Sequence, residues 1–270
     1  MPSGDRRSFL ALGAGTLIAG TLPRRAPLPR PSVPAPGPMS TQFPRQDPAM
    51  VSEMVRVAHF DLARVTQLLE AHPALAKAAV DWGFGDWEDA LGAASHTGRY
   101  DIAQLLIAHG ARPTLFSATM MGQLDVVKAF VTSAPGCQST FGPHSITLLA
   151  HARAGGDRAR AVREYLEQLG GADPKPAGAI ALDENERTKY AGSYAFGDGS
   201  DEVLVVTSDK TGLSITRPGL PFARPLIAIG VHEFTPAGAE AVRLRFGMRG
   251  DQAGEVAVLD PAPIVTATRR

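Results

Sequence analysis

Seven histidines, 27 Asp plus Glu and one cysteine are the side chains from which any metal or acid/base site has to be assembled. His144 and His151 are seven residues apart, and they share a helix face only if one helix spans both. Gly142-Pro143 places His144 in a loop, so no metal site is expected of this pair and no cofactor is called for. His232 and Glu233 are adjacent in a stretch that reads as a strand, where neighbours point to opposite faces and cannot work as an acid/base pair. A serine activated by a lysine one helical turn away needs S-x-x-K, and a nucleophile elbow needs G-x-S-x-G; neither occurs. Gly197-Asp198-Gly199-Ser200 reads as a turn, and Asp183, Glu184 and Glu186 as a solvated helix start, where acids are favoured. Cys137 alone forms neither an intrachain disulfide nor a thiolate zinc cluster, and reads as a small buried hydrophobe. No catalytic residue is expected, and the chain reads as a binding protein rather than an enzyme.

Binding chemistry is better represented. Asp81 to Glu88 holds both tryptophans, Trp82 and Trp87, with Phe84, two glycines and acidic neighbours. Large aromatics on a loop either form an interface hot spot or fold back to cap the core beneath, and the sequence leaves both open. With His96, Met120, Met121 and His144 on an adjacent concave surface, Trp82, Phe84 and Trp87 make up the expected protein-binding set. Lys plus Arg balance Asp plus Glu at 27 each, with no basic stretch interleaved with aromatics, so nucleic acid is not an expected partner. Hydrophobic residues at 44% and charged residues at 20% are ordinary globular usage, enough for a buried core.

The elements carrying these residues read as paired helices. Ala90 to Gly98 followed by Arg99 to Ala111 resembles the ankyrin pattern: a first helix ending in A-A-x-x-G, a second with V-x-x-L-L, then G-A. Thr114 to Gly122 and Leu124 to Val131 repeat it. Ala58 to Leu75 resembles a capping first unit, with Phe60 in place of the usual glycine, and Leu148 to Asp173 a fourth unit with an insertion at Gly155 to Arg158. The resemblance implies an array in which neighbours share one continuous core. Leu105, Leu106, Val126, Phe130 and Leu166 are expected in that core.

From Asp183 the period changes to two. Glu202 to Thr207, Leu213 to Arg217, Leu226 to Ile229, Val242 to Phe246 and Glu255 to Leu259, separated by Gly, Pro and Asp, read as antiparallel strands of a barrel or sandwich. Tyr190-Ala191-Gly192-Ser193-Tyr194, Gly212-Leu213, His232-Glu233-Phe234 and Val242 to Phe246 together resemble the lipocalin-like accessory domain that follows bacterial serine β-lactamase-like hydrolases. An interior lined by Leu213, Ile215, Phe234 and Leu244 would suit an apolar ligand if it were open.

Arg6-Arg7-Ser8-Phe9-Leu10, ahead of a Gly/Ala-rich apolar run, resembles a twin-arginine export signal. Arg6, Arg7, Phe9 and Leu10 carry that likeness, which implies a periplasmic or otherwise extracytoplasmic protein that folds before export. The apolar run is about half a bilayer span, so no stable membrane anchor is expected. The expected organisation is a signal over residues 1–22, a Pro-rich linker over 23–48, ankyrin-type repeats over 49–175 and a β-rich domain over 183–270. The expected fold class is thus multidomain α + β: a short ankyrin-type α-solenoid of about four repeats, then a small antiparallel β-barrel or sandwich. The expected function is non-enzymatic binding of a protein partner in the cell envelope. The alternatives are an apolar-ligand carrier acting through the β domain and an accessory subunit of an envelope hydrolase.

Overall fold

The computed structural model describes residues 43–220 and 222–270, which belong to one compact unit. The twin-arginine segment, with Arg6, Arg7, Phe9 and Leu10, lies outside the described residues, as does most of the Pro-rich linker. Eight helices come first: α1 (Pro48–Val57), α2 (Leu62–Ala71), α3 (Ala90–His96), α4 (Tyr100–Ala108), α5 (Leu115–Met120), α6 (Leu124–Ser133), α7 (Leu148–Ala154) and α8 (Arg160–Leu169). Short polar residues start many of them. Asp47 accepts the amides of Ala49 and Met50 ahead of Pro48, Asp89 accepts Gly92 N–H at 2.6 Å, and Thr147 accepts Ala150 N–H. Thr114 and Ser117 form a reciprocal capping box on α5.

The ankyrin-type solenoid expected from the sequence is not formed. In a linear array each unit touches only its neighbours. Here α3 packs not only on α1, α4 and α5 but also on α7, two helix pairs further along. The apolar core is also divided. One cluster joins α1 to α4 with Met120, and a second joins α5 to α8. Half-buried His96 and buried His151 face each other across the divide, with ring centroids 6.5 Å apart. The core expectation is corrected in part as well: Leu106 and Leu166 are buried and Leu105 half-buried, but Val126 and Phe130 are exposed. Val127 is the buried residue of α6, one residue and about 100° round the helix from Val126.

Between α2 and α3 the chain forms a two-stranded ribbon, β1 (Ala79–Asp81) and β2 (Trp87–Asp89), in which Val80 pairs with Glu88. Its turn holds three successive residues with positive φ, Gly83 (101°), Phe84 (60°) and Gly85 (82°). A conformation that costs a non-glycine residue about 1 kcal/mol is thereby imposed on Phe84.

A short helix α9 (Glu184–Thr188), capped reciprocally by Asp183 and Glu186, leads into the β domain. Its strands are β3 (Gly192–Ala195), β4 (Val203–Asp209), β5 (Gly212–Thr216), β6 (Arg224–Gly230), β7 (Glu233–Pro236), β8 (Arg243–Arg249), β9 (Gln252–Asp260) and β10 (Ala262–Arg269). Each strand pairs antiparallel with the next, and β10 returns to β3, so the sheet is a closed eight-stranded barrel and not a sandwich. Alternating inward residues fill it: Leu213, Ile215, Phe234 and Leu244 are buried with Tyr190, Tyr194 and Phe246 in one cluster. His232 does not lie on a strand. It sits at φ 57° in the turn before β7 and meets the Tyr190 hydroxyl through Nδ1 at 2.8 Å. No helix among the described residues is long and apolar enough to cross a membrane.

Candidate functional site

Trp82, Phe84 and Trp87 do not form one exposed face. Trp82 is 6% exposed and donates its indole N–H to Glu88 Oε2 at 2.7 Å. Phe84 packs against the barrel core, and only Trp87, 65% exposed, stands on the surface. The alternation of a ribbon explains the split: Trp87 points one way from β2 and Glu88 the other, into the protein. Met120 is fully buried and Met121 half-buried against the same core, so neither is available to a partner as a concave surface would require. His96 and His144, placed in the same expected set, instead turn towards Glu88.

Around the buried Glu88 carboxylate stand three imidazoles. His96, the last residue of α3, approaches Oε1 through Nε2 at 2.9 Å. His59, just after α1, and His144 approach Oε2 through Nε2 at 3.5 Å and 3.4 Å. One donor atom from each of the four side chains lies within 4.8 Å of the others. His59 Nδ1 faces the backbone carbonyls of Val55 and Arg56 at 3.0 Å and 3.1 Å. Carbonyls only accept, so that nitrogen carries the proton. His144 Nδ1 donates to Asp86 Oδ2 at 2.5 Å, and its backbone N–H donates to Asp86 Oδ1 at 3.0 Å.

His144 is held there by an unusual backbone. It and Ser145 have φ of 60° and 58°, a pair that costs about 1 kcal/mol or more per residue and persists only when its surroundings compensate. Asp86 supplies part of that compensation, and Ser145 Oγ supplies the rest by bonding Glu240 and Gly238 N–H in the barrel. Arg224, the first residue of β6, is 1% exposed and donates Nη1 to Asp86 Oδ2 and to the Ala237 carbonyl. Its Nε and Nη2 are buried without a partner.

Charge is unbalanced in this seam. Arg224 offsets Asp86, but Glu88 meets only the Trp82 N–H and imidazoles. Burial works against the Glu88 charge, yet the bonds from His144 and His96 and the charges beyond them outweigh it and bring its pKa down to about 2. Burial likewise opposes protonation of His144, but Asp86 and Glu88 overcome it and raise its pKa to about 9. For His59 burial wins, and its pKa falls below the ordinary histidine value. His151 stays neutral, driven by burial to about 4; its Nδ1 donates to Thr147 O at 2.9 Å and its Nε2 is buried without a partner. A cavity of about 440 Å³ opens over His59 and His144, walled by Ile146, Phe222, Arg224, Pro225 and Ala237.

Of the residues that gather here, His96 and His144 are expected from the sequence, and for protein binding. His59, Asp86, Glu88 and Arg224 carry no such expectation, and His151 enters only through its spacing from His144. The one signal available beforehand is recurrence: His59, His96 and His151 lie at or near the ends of α1, α3 and α7, helices that neighbour one another. The chain matches no protein-family model, no curated protein and no solved structure.

Proposed function

We propose that this protein binds a divalent first-row transition-metal ion through Nε2 of His59, His96 and His144 and the carboxylate of Glu88, at the floor of the apolar cavity. One observation carries the reading. Burial favours the neutral imidazole of His59, which donates through Nδ1, so its Nε2 presents a lone pair to Glu88 Oε2 across 3.5 Å, acceptor facing acceptor. A cation between them removes that repulsion. Bonds of about 2.0–2.2 Å place neighbouring ligand atoms of a tetrahedral site roughly 3.4 Å apart, near the 2.9, 3.5 and 3.4 Å that separate Glu88 from His96, His59 and His144. Three imidazoles and one carboxylate suit zinc, iron, nickel or copper better than calcium or magnesium.

The surroundings match what such a ligand set needs. Ligating histidines usually donate their second ring nitrogen to a carbonyl or carboxylate, as His59 does to Val55 O and His144 to Asp86. The Trp82 N–H orients Glu88 in the same way. An ion of five or six coordination keeps positions beyond these four side chains, and the cavity over His59 and His144 is where they open. A twin-arginine route, which passes folded proteins, suits a chain that acquires its metal before export.

Cobalt(II) titration of chelator-treated protein tests this. We expect a visible d–d band that saturates at one equivalent and is bleached by zinc. Glu88→Gln and His96→Ala are expected to lower affinity by about 10–100-fold or more. A spectrum identical to that of the aqueous ion, unaltered by either substitution, would sink the reading.

Protein binding in the envelope keeps one supporting feature, the exposed Trp87 beside a shallow pocket walled by Ala79, Thr114, Phe116 and Pro143. The Trp87 side chain points away from Glu88 across β2, so Trp87→Ala is expected to leave the cobalt band unchanged. The barrel interior is packed with side chains, and no ligand is proposed there.

A further inference from the structure

The cavity over the metal ligands has its own chemical character. Ile146, Phe222, Pro225 and Ala237 make its walls apolar, while Arg224 and the two histidines are its polar groups. Arg224 is 1% exposed and spends only Nη1 on the protein; Nε and Nη2, both N–H donors, lie buried without a partner. Leaving such donors unpaired costs about 1–3 kcal/mol or more for a charged group, a cost that a bound acceptor removes. The guanidinium and the His144 ring share Asp86 Oδ2, so the vacant donors belong to the same network as the metal ligands. Phe222 lies over the guanidinium with 5.0 Å from its ring centroid to Cζ, and is itself more than a third exposed.

Formal charge adds a second constraint. With a dication bound and the histidines neutral, Glu88 and Asp86 supply two negative charges against Arg224 and the ion, leaving the cavity floor at about +1. A monoanion neutralises it; a neutral ligand or a dianion does not.

We propose that the cavity holds a small monocarboxylate with an apolar body, its carboxylate between the metal ion and the free edge of Arg224 and its body against Phe222 and Ile146. The inference rests on the metal reading above. A guanidinium presents parallel N–H groups that match a carboxylate, and about 440 Å³ accommodates an aromatic or branched acid of small-molecule size.

Benzoate and its neutral isostere benzamide provide the test, each titrated calorimetrically into the cobalt-loaded full chain with the d–d band followed in parallel. Benzoate is expected to bind and shift the band, and benzamide to bind at least about tenfold more weakly. Phe222→Ala is expected to weaken benzoate while leaving cobalt affinity within twofold. Arg224→Gln is expected to abolish the preference for benzoate. Because Arg224 is buried, that variant is read only if its circular dichroism matches the parent; the benzoate to benzamide ratio in the parent decides the matter if it does not. An intact cobalt band with no benzoate effect, or with both compounds bound equally, overturns the carboxylate site alone. Absence of any cobalt band overturns the metal reading, and this proposal with it.

Discussion

His144 and His151 illustrate how strongly a single residue's surroundings decide its chemistry. One is half-buried and the other fully buried in one short stretch of chain, and His144 is held protonated to about pH 9 by Asp86 and Glu88 while His151 stays neutral to about pH 4. For the metal-free protein the consequences for stability have opposite signs. The raised value of His144 contributes stability that is complete below its unfolded value of 6.5 and is lost as pH rises towards 9. The lowered value of His151 means that the unfolded chain takes up a proton first, so stability falls as pH drops from 6.5 towards 4. Each limb is worth roughly 2–3 kcal/mol, and Glu88 adds a further loss below about pH 4.5. Urea midpoints of chelator-treated protein are therefore expected to peak near pH 6.5. His151→Leu should flatten the acid limb; a profile level from pH 4 to 9 in the parent would contradict these assignments.

At the level of elements, glycines set how closely the helical pairs approach. Gly98, between α3 and α4, has φ 71° and would place a Cβ 2.3 Å from the Ala154 carbonyl oxygen at the end of α7. Gly122, between α5 and α6, has φ 77° and would meet the Arg158 carbonyl at 2.2 Å. Backbone cannot yield as a side-chain tip can. Gly98→Ala and Gly122→Ala are each expected to cost roughly 3 kcal/mol or more, from overlap added to left-handed strain. Gly136 (φ 94°) has nothing near its missing Cβ, so Gly136→Ala should cost only about 1 kcal/mol. Equal thermal shifts for all three in calorimetry would refute the close-contact account. Gly98 meets the end of α7, the helix on which α3 also packs and whose His151 faces His96.

Across the whole molecule, the ribbon of β1 and β2 ties the helices to the barrel. Phe84 packs against the barrel core, Asp86 bonds Arg224 of β6, and Ser145 bonds Glu240 and Gly238. Helices and barrel are consequently expected to unfold in one transition, coincident by tryptophan fluorescence and far-ultraviolet circular dichroism. Asp86→Ala leaves Arg224 buried without its partner, a loss of about 3–5 kcal/mol, and is expected to separate the two signals. Coincident, unshifted transitions in that variant would show that the ribbon is not what couples them.

Much of the local structure was legible beforehand because it is written in neighbouring residues. The period-two runs from Glu202 onward become β4, β5, β6, β8 and β9, since alternation alone decides which side chains face a barrel's interior. The paired-helix pattern from Ala90 to Val131 yields α3 to α6, and Asp183 starts α9. Arrangement was not legible. The helix pattern is the same whether units stack in a line or curl until α3 reaches α7, and the difference lies in turn geometry and in contacts between residues far apart in the chain. The candidate site was hidden for the same reason. His59, Glu88, His96 and His144 span 86 positions of the sequence with no motif spacing, and converge only because a ribbon turns Glu88 inward and a left-handed loop turns His144 to meet it. Composition and short-range pattern determined which elements this chain forms. The long-range contacts of its folded state decided where its buried charges meet, because electrostatic and coordination chemistry depends on distance in space.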